Sequence, residues 1–198
     1  MKKLFEHVSI IGKDSVIDNT AIVMDNVKIS GRSKITDNAH VYDNANICQS
    51  NISDNAQVYG NSRITYSNIF GNAQVYGESI IGISGYIYGN AQVYGNANVS
   101  FARIYDNVKV YGNARIDGID PGNIKIIPEI YENSQVYDKA KIYGNVKIHG
   151  NSKICGNAYI YINTAYYCNV YGNAIIRNDI SDYMHKYEHT IIRGKARL

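Results

Sequence analysis

The chain has no tryptophan, two prolines, three phenylalanines and three cysteines in 198 residues. Each scarcity excludes something. Cys48, Cys155 and Cys168 lie far apart, in neither a CxxC nor a zinc-ligand spacing, so neither a disulfide framework nor a structural metal site is read from them. Scattered thiols of this kind fit a reducing, cytoplasmic setting. No run of about 18 apolar residues occurs, and no membrane span is expected. The start, Met1-Lys2-Lys3-Leu4-Phe5-Glu6-His7, carries two lysines but no apolar stretch behind them, so no secretory leader is expected. A net charge of +3, dispersed along the chain, is too small for a nucleic-acid surface.

What is present in excess is tyrosine, 19 of them, with 17 glycines. Most fall within one phrase. The stretch Tyr88-Gly89-Asn90-Ala91-Gln92-Val93-Tyr94-Gly95-Asn96-Ala97-Asn98-Val99 states six residues twice, and weaker copies run from about Ile11 to the C-terminus. Written Val-Tyr-Gly-Asn-Ala-Gln, the phrase has a branched aliphatic at position one and a small residue at position five. Between them sits a Gly-Asn pair that tolerates positive φ and marks a tight corner. Apolar and outward residues alternate on either side, as in a strand. The spacing i, i+3, i+4, i+7 of an amphipathic helix is missing. Short strands and corners at a fixed period describe a solenoid.

With these residues the chain resembles the hexapeptide-repeat family. That resemblance implies an all-β, three-sided, left-handed parallel β-helix in which three hexapeptides make one coil. General crossover rules would favour the opposite hand, so the left-handed turn is implied by the resemblance alone. The Tyr-Gly-Asn-Ala form is similar to that of repeat proteins from bacteria and their phages. A single domain, 1–198, of about nine to ten coils is expected.

Anchored on position one, first sides begin at Ile11, Ile29, Ile47, Ile64, Ile81, Val99, Ile116, Ile142 and Ile160. Second sides begin at Ile17, Ile35, Ile52, Ile69, Ile87, Ile104, Ile130, Ile148 and Val170, and third sides at Val23, Val41, Val58, Val75, Val93, Val110, Val136, Ile154 and Ile176. The first side is irregular. Its steps at Ile47, Ile64 and Val99 are one residue short, which moves Ser50, Ser67 and Ala102 into the inward small position. It swells after Ile116 into a loop near 117–129 holding both prolines, Pro121 and Pro128, and again after Ile160 through 163–169. Insertions on one edge of a solenoid often mark its binding face. Asp117, Asp120, Asn123, Lys125, Tyr166 and Tyr167 are the binding candidates there. After Ile176 a short helical insertion is expected near 181–190, with Ser181 as N-cap, before the repeat resumes at Ile192.

Position two points outward and forms columns. Tyr42, Tyr59, Tyr76, Tyr94, Tyr111 and Tyr137 line the third side; Phe70, Tyr88, Tyr105, Tyr131, His149 and Tyr171 line the second. Aromatic stripes of this length are expected at a subunit interface, and the resemblance implies a homotrimer of parallel prisms. Asn38, Asn55, Asn72, Asn90, Asn107 and Asn133, at position four, are expected to hydrogen-bond from coil to coil.

Two classes of function remain. Many relatives by resemblance are acyltransferases that use acetyl-CoA, with a histidine between subunits as general base. His149 is the candidate here. Other relatives are zinc carbonic anhydrases; His185 and His189 have i, i+4 spacing but no evident third ligand, and no metal is assigned. The sequence favours a non-catalytic binding or scaffold protein without a cofactor, holding a protein or small-ligand partner at the irregular edge or between subunits.

Overall fold

The computed structural model describes residues 8–12, 14–118, 126–162, 167–171, 175–176 and 189–193. Within them the chain winds into three parallel sheets of nine, ten and nine strands, a three-sided β-solenoid. Every third strand pairs with its equivalent one coil on. The side-one ladder runs Ile29, Ile47, Ile64, Ile81, Val99, Ile116, Ile142, Ile160. The side-two ladder runs from Ile17 to Val170 and ends at Ile192. The side-three ladder runs from Val23 to Ile176.

Position one forms the core because the two-residue strands alternate strictly. In Lys34–Ile35 or Gln57–Val58 the first side chain faces outward and the second is fully buried. Burying one such aliphatic contributes about 1.5–3 kcal/mol, and the columns from Ile29 to Ile160 have no exposed area at all. The small residues of position five, Ala39, Ala56, Ala73 and Ala91 with their equivalents, fill the corners of the triangle.

The corner geometry refines the reading of the Gly-Asn pair. At the regular corners positive φ falls mostly on position three: on Gly60, Gly71, Gly77, Gly89, Gly95 and Gly112, or on Asp37, Asp43, Asp54, Asp106, Glu132 and Asp138; Ser84, at position four, is an exception. The acids compensate for a backbone state that is costly for L-residues. Each accepts a hydrogen bond from the next coil's N–H, as in Gly71 N to Asp54 Oδ2 at 2.8 Å and Gly150 N to Glu132 Oε2 at 2.7 Å. Asn at position four does something else. Its amides form coil-to-coil ladders, Asn38 to Asn55, Asn72, Asn90, Asn107 and Asn133, with N···O distances of 3.1–3.3 Å.

Three expectations change. Ile10, not Ile11, stands opposite Ile29, because the first coil carries an extra residue between Ile10 and Ile17. Tyr167, Cys168 and Asn169 belong to the strand Tyr167–Tyr171 rather than to a loop, paired with Val146–Ile148 on one side and His189–Arg193 on the other. His189 and Thr190 therefore lie in a strand, not a helix; the rest of the expected helical insertion, 181–188, lies outside the described residues.

Candidate functional site

The irregular edge, between sides one and two, is where the backbone departs furthest from the repeat. A regular corner spends two residues at positions three and four. The shortened corners turn on one, and that residue is Gln49, Tyr66 or Phe101, each at φ 46–50°. Left-handed φ on a bulky side chain costs of order 1 kcal/mol or more. At the other two corners glycine or a capping acid bears this conformation.

At two of the three shortened corners, those of Gln49 and Tyr66, an inward serine bonds the backbone that the missing corner residue would have served. The Ser50 hydroxyl accepts from Ser67 N at 3.1 Å and donates to Cys48 O at 2.7 Å. The Ser67 hydroxyl likewise accepts from Gly85 N at 3.1 Å and bonds to the carbonyls of Thr65 and Gly82. Ser33 supplies the same service to Ser50 N. Ser50 and Ser67 therefore do occupy the inward small position, and so does Ala102.

On this scaffold the edge presents apolar side chains outward. Tyr66 is 49% exposed, Ile83 50% and Tyr86 37%, in two successive coils, with Phe101 half-buried in the next. Below Phe101 the insertion returns. Ile126 is buried, and Gly118 is so hemmed in by the Phe101 and Ile126 carbonyls that a β-carbon there would lie 2.2 Å and 2.4 Å from them.

The binding candidates from the sequence are only partly placed. Asp117 ends the strand Arg115–Asp117, half-buried, paired with Arg115 Nη2 at 3.3 Å. Asp120, Asn123, Lys125 and Tyr166 lie outside the described residues, and Tyr167 opens the side-two strand Tyr167–Tyr171 rather than standing in the insertion 163–169. Asp117 stands on side one beside the apolar patch's column, in register with Ser100. The signal for Tyr66 lies in the sequence as the five-residue step from Ile64 to Ile69, whereas Ile83 stands in a full six-residue step, from Ile81 to Ile87, with nothing in its spacing to single it out.

The tyrosine columns form as expected. On side three Tyr42 to Tyr137 stack with centroids 4.8–5.0 Å apart and planes within 5°. On side two Phe70, Tyr88, Tyr105, Tyr131 and His149 stack at 4.8–5.2 Å. Each ring covers its neighbours' faces, so every member is half-buried within a single chain. Burial, then the charge of Glu129, pushes the Tyr105 phenol up to about 12. A hydrogen bond with Cys155, then burial, does the same for Tyr137. Glu129 itself is held below its usual range, because hydrogen bonds from Lys147 and Arg103 outweigh the effect of burial; the N···O distances are 3.1 and 2.8 Å.

His149 lies flat on Tyr131, with Nδ1 3.8 Å from Glu132 Oε2. That carboxylate oxygen already accepts from Gly150 N. Among the described residues no group of three or more His, Cys, Asp or Glu side chains is placed to hold a metal. No helix among them is long and apolar enough to cross a membrane. No known family model and no curated protein matches this chain.

Proposed function

We propose that this protein works by binding rather than by catalysis, as a rigid solenoid scaffold of the hexapeptide-repeat kind that assembles with copies of itself across its irregular edge. One observation carries the reading. The tyrosines cover each other's faces, whereas Tyr66, Ile83 and Tyr86 gather uncovered at the edge whose backbone is the most strained. Exposed apolar clusters and stored backbone strain both point to contact sites. The homotrimer implied by the repeat is the expected assembly, and the edge is the better candidate for its contact than the columns. The test is sedimentation of the wild type and of Tyr66→Ser with Ile83→Ser. The wild type should sediment as an oligomer and the double variant as a folded monomer. A monomeric wild type, or an unaltered oligomer in the variant, would overturn the reading.

Acyl transfer is the second reading, favoured by the approach of Glu132 to His149, which would orient the imidazole as a base. It predicts a dose-dependent rise in melting temperature with acetyl-CoA and loss of transfer in His149→Ala.

A further inference from the structure

The corner between sides three and one is distinct from the irregular edge and stays open if copies associate there. It holds a groove of about 660 Å³ running along the axis. Its form follows from the repeat. Position five turns into the core, and Val27, Ala45, Ser62 and Ser79 are fully buried. Positions four and six on either side of it therefore stand up as two walls. One wall is Asn26, Asn44 and Asn61, ending at Glu78; the other is Lys28, Asn46 and Arg63, ending at Ile80.

The chemistry of the walls selects a ligand class. Asn26 and Asn44 each donate to the next amide, at 3.2 and 3.0 Å. Each donating amide keeps a second N–H, and every amide carbonyl keeps a lone pair for something else. Lys28 and Arg63 make no ion pair among the described residues. A polyanion is disfavoured, because Glu78 stands in the wall with these two cations and the carboxylates of Asp25 and Asp43 cap backbone N–H groups one residue before that wall. An extended peptide is disfavoured too, because the backbone N–H groups along the walls already bond to the next coil: Lys28 to Ala45, Asn44 to Gly60, Asn46 to Ser62, Asn61 to Gly77 and Arg63 to Ser79. What remains is a chain that carries its own hydroxyls as both donors and acceptors. Coils repeat every ~4.8 Å, close to the length of one sugar ring in an extended glycan.

We infer that this groove binds a neutral, extended oligosaccharide lying along the solenoid axis, one ring per coil, with its hydroxyls on the asparagine amides, Lys28 and Arg63. The inference does not depend on the assembly reading. The test is calorimetric titration of the full chain with β-1,4-linked hexasaccharides of glucose, mannose and N-acetylglucosamine, and with an oligothymidine as the polyanion. The variant is Asn46→Ala with Arg63→Ala, two outward residues that hold the fold through their backbone N–H groups, which alanine keeps; its circular dichroism should match the wild type. At least one hexasaccharide should bind saturably, and the folded variant should bind it about tenfold more weakly. Absence of binding by all three, equal binding by the variant, or preference for the oligothymidine would each overturn the inference.

Discussion

At the scale of single residues, the interior tests how closely the repeat fits its own geometry. Ser62, Ser79 and Ser134 are fully buried and their hydroxyls have no hydrogen-bond partner. Ser62 and Ser79 stand in a column flanked on both sides by alanine, Ala45 before them and Ala97 and Ala114 after. An unpaired buried hydroxyl costs about 1 kcal/mol or more. Ser62→Ala and Ser79→Ala should therefore each raise the unfolding free energy by about that much, and the urea midpoint with it; a lower midpoint would mean that the hydroxyls are satisfied in solution. At Asp54 (φ 58°) the side chain offsets its own backbone strain by capping Gly71 N. Asp54→Ala loses the cap and keeps the strain, whereas Asp54→Gly loses only the cap. The alanine variant should be the less stable of the two by about 1 kcal/mol in the same measurement. The Ala, Ile and Val positions were legible in the sequence because burial follows a two-residue alternation. The role of the acids was not: a carboxylate reaching one coil forward has no signature in the local pattern.

At the scale of elements, the columns are the unit of stability. Tyr94 stacks on two neighbours and Tyr42 on one described neighbour. Removing Tyr94 should cost about twice what removing Tyr42 costs, with each aromatic pair contributing about 0.5–1.5 kcal/mol; equal losses by denaturant titration would mean that stacking contributes little. The columns also set a pH dependence. Phenols from Tyr42 to Tyr137 and Tyr88 to Tyr131 are raised above the ordinary value of 10.0, mostly by burial. A raised phenol favours the folded state below pH 10, and that preference is lost as pH climbs through the folded value. The melting temperature should hold up to pH 10 and fall steeply toward pH 12, together with tyrosinate absorbance. A flat profile over that window would contradict the stacking. Glu129 works with the opposite sign: its carboxyl is lowered from 4.5, so its contribution is present above that pH and fades on acidification. The columns could be read from spacing because position two recurs in register. The Arg103–Glu129–Lys147 bridge was legible only as adjacency: each residue stands one before the anchors Ile104, Ile130 and Ile148, but spacing does not say that three outward side chains pair with one another.

At the scale of the whole molecule, nearly every anchor followed from the six-residue period, and the three sheets from the hexapeptide-repeat resemblance that the period carries. The first coil did not, since two adjacent isoleucines, Ile10 and Ile11, satisfy the pattern equally and only pairing with Ile29 decides between them. The irregular edge was visible as an edge, but the sequence located it by its insertions. The sequence also carries the shortened steps; the structure adds that Tyr66, at one of them, and Ile83, in the next coil, stand in the open. The account therefore rests on which surface meets another copy. A photo-crosslinking amino acid placed at Ile83 and, in a separate protein, at Tyr59 in the side-three column tests this directly. Covalent oligomers from position 83 and monomer from position 59 are the predicted result. Crosslinking from position 59 with none from position 83 would contradict it.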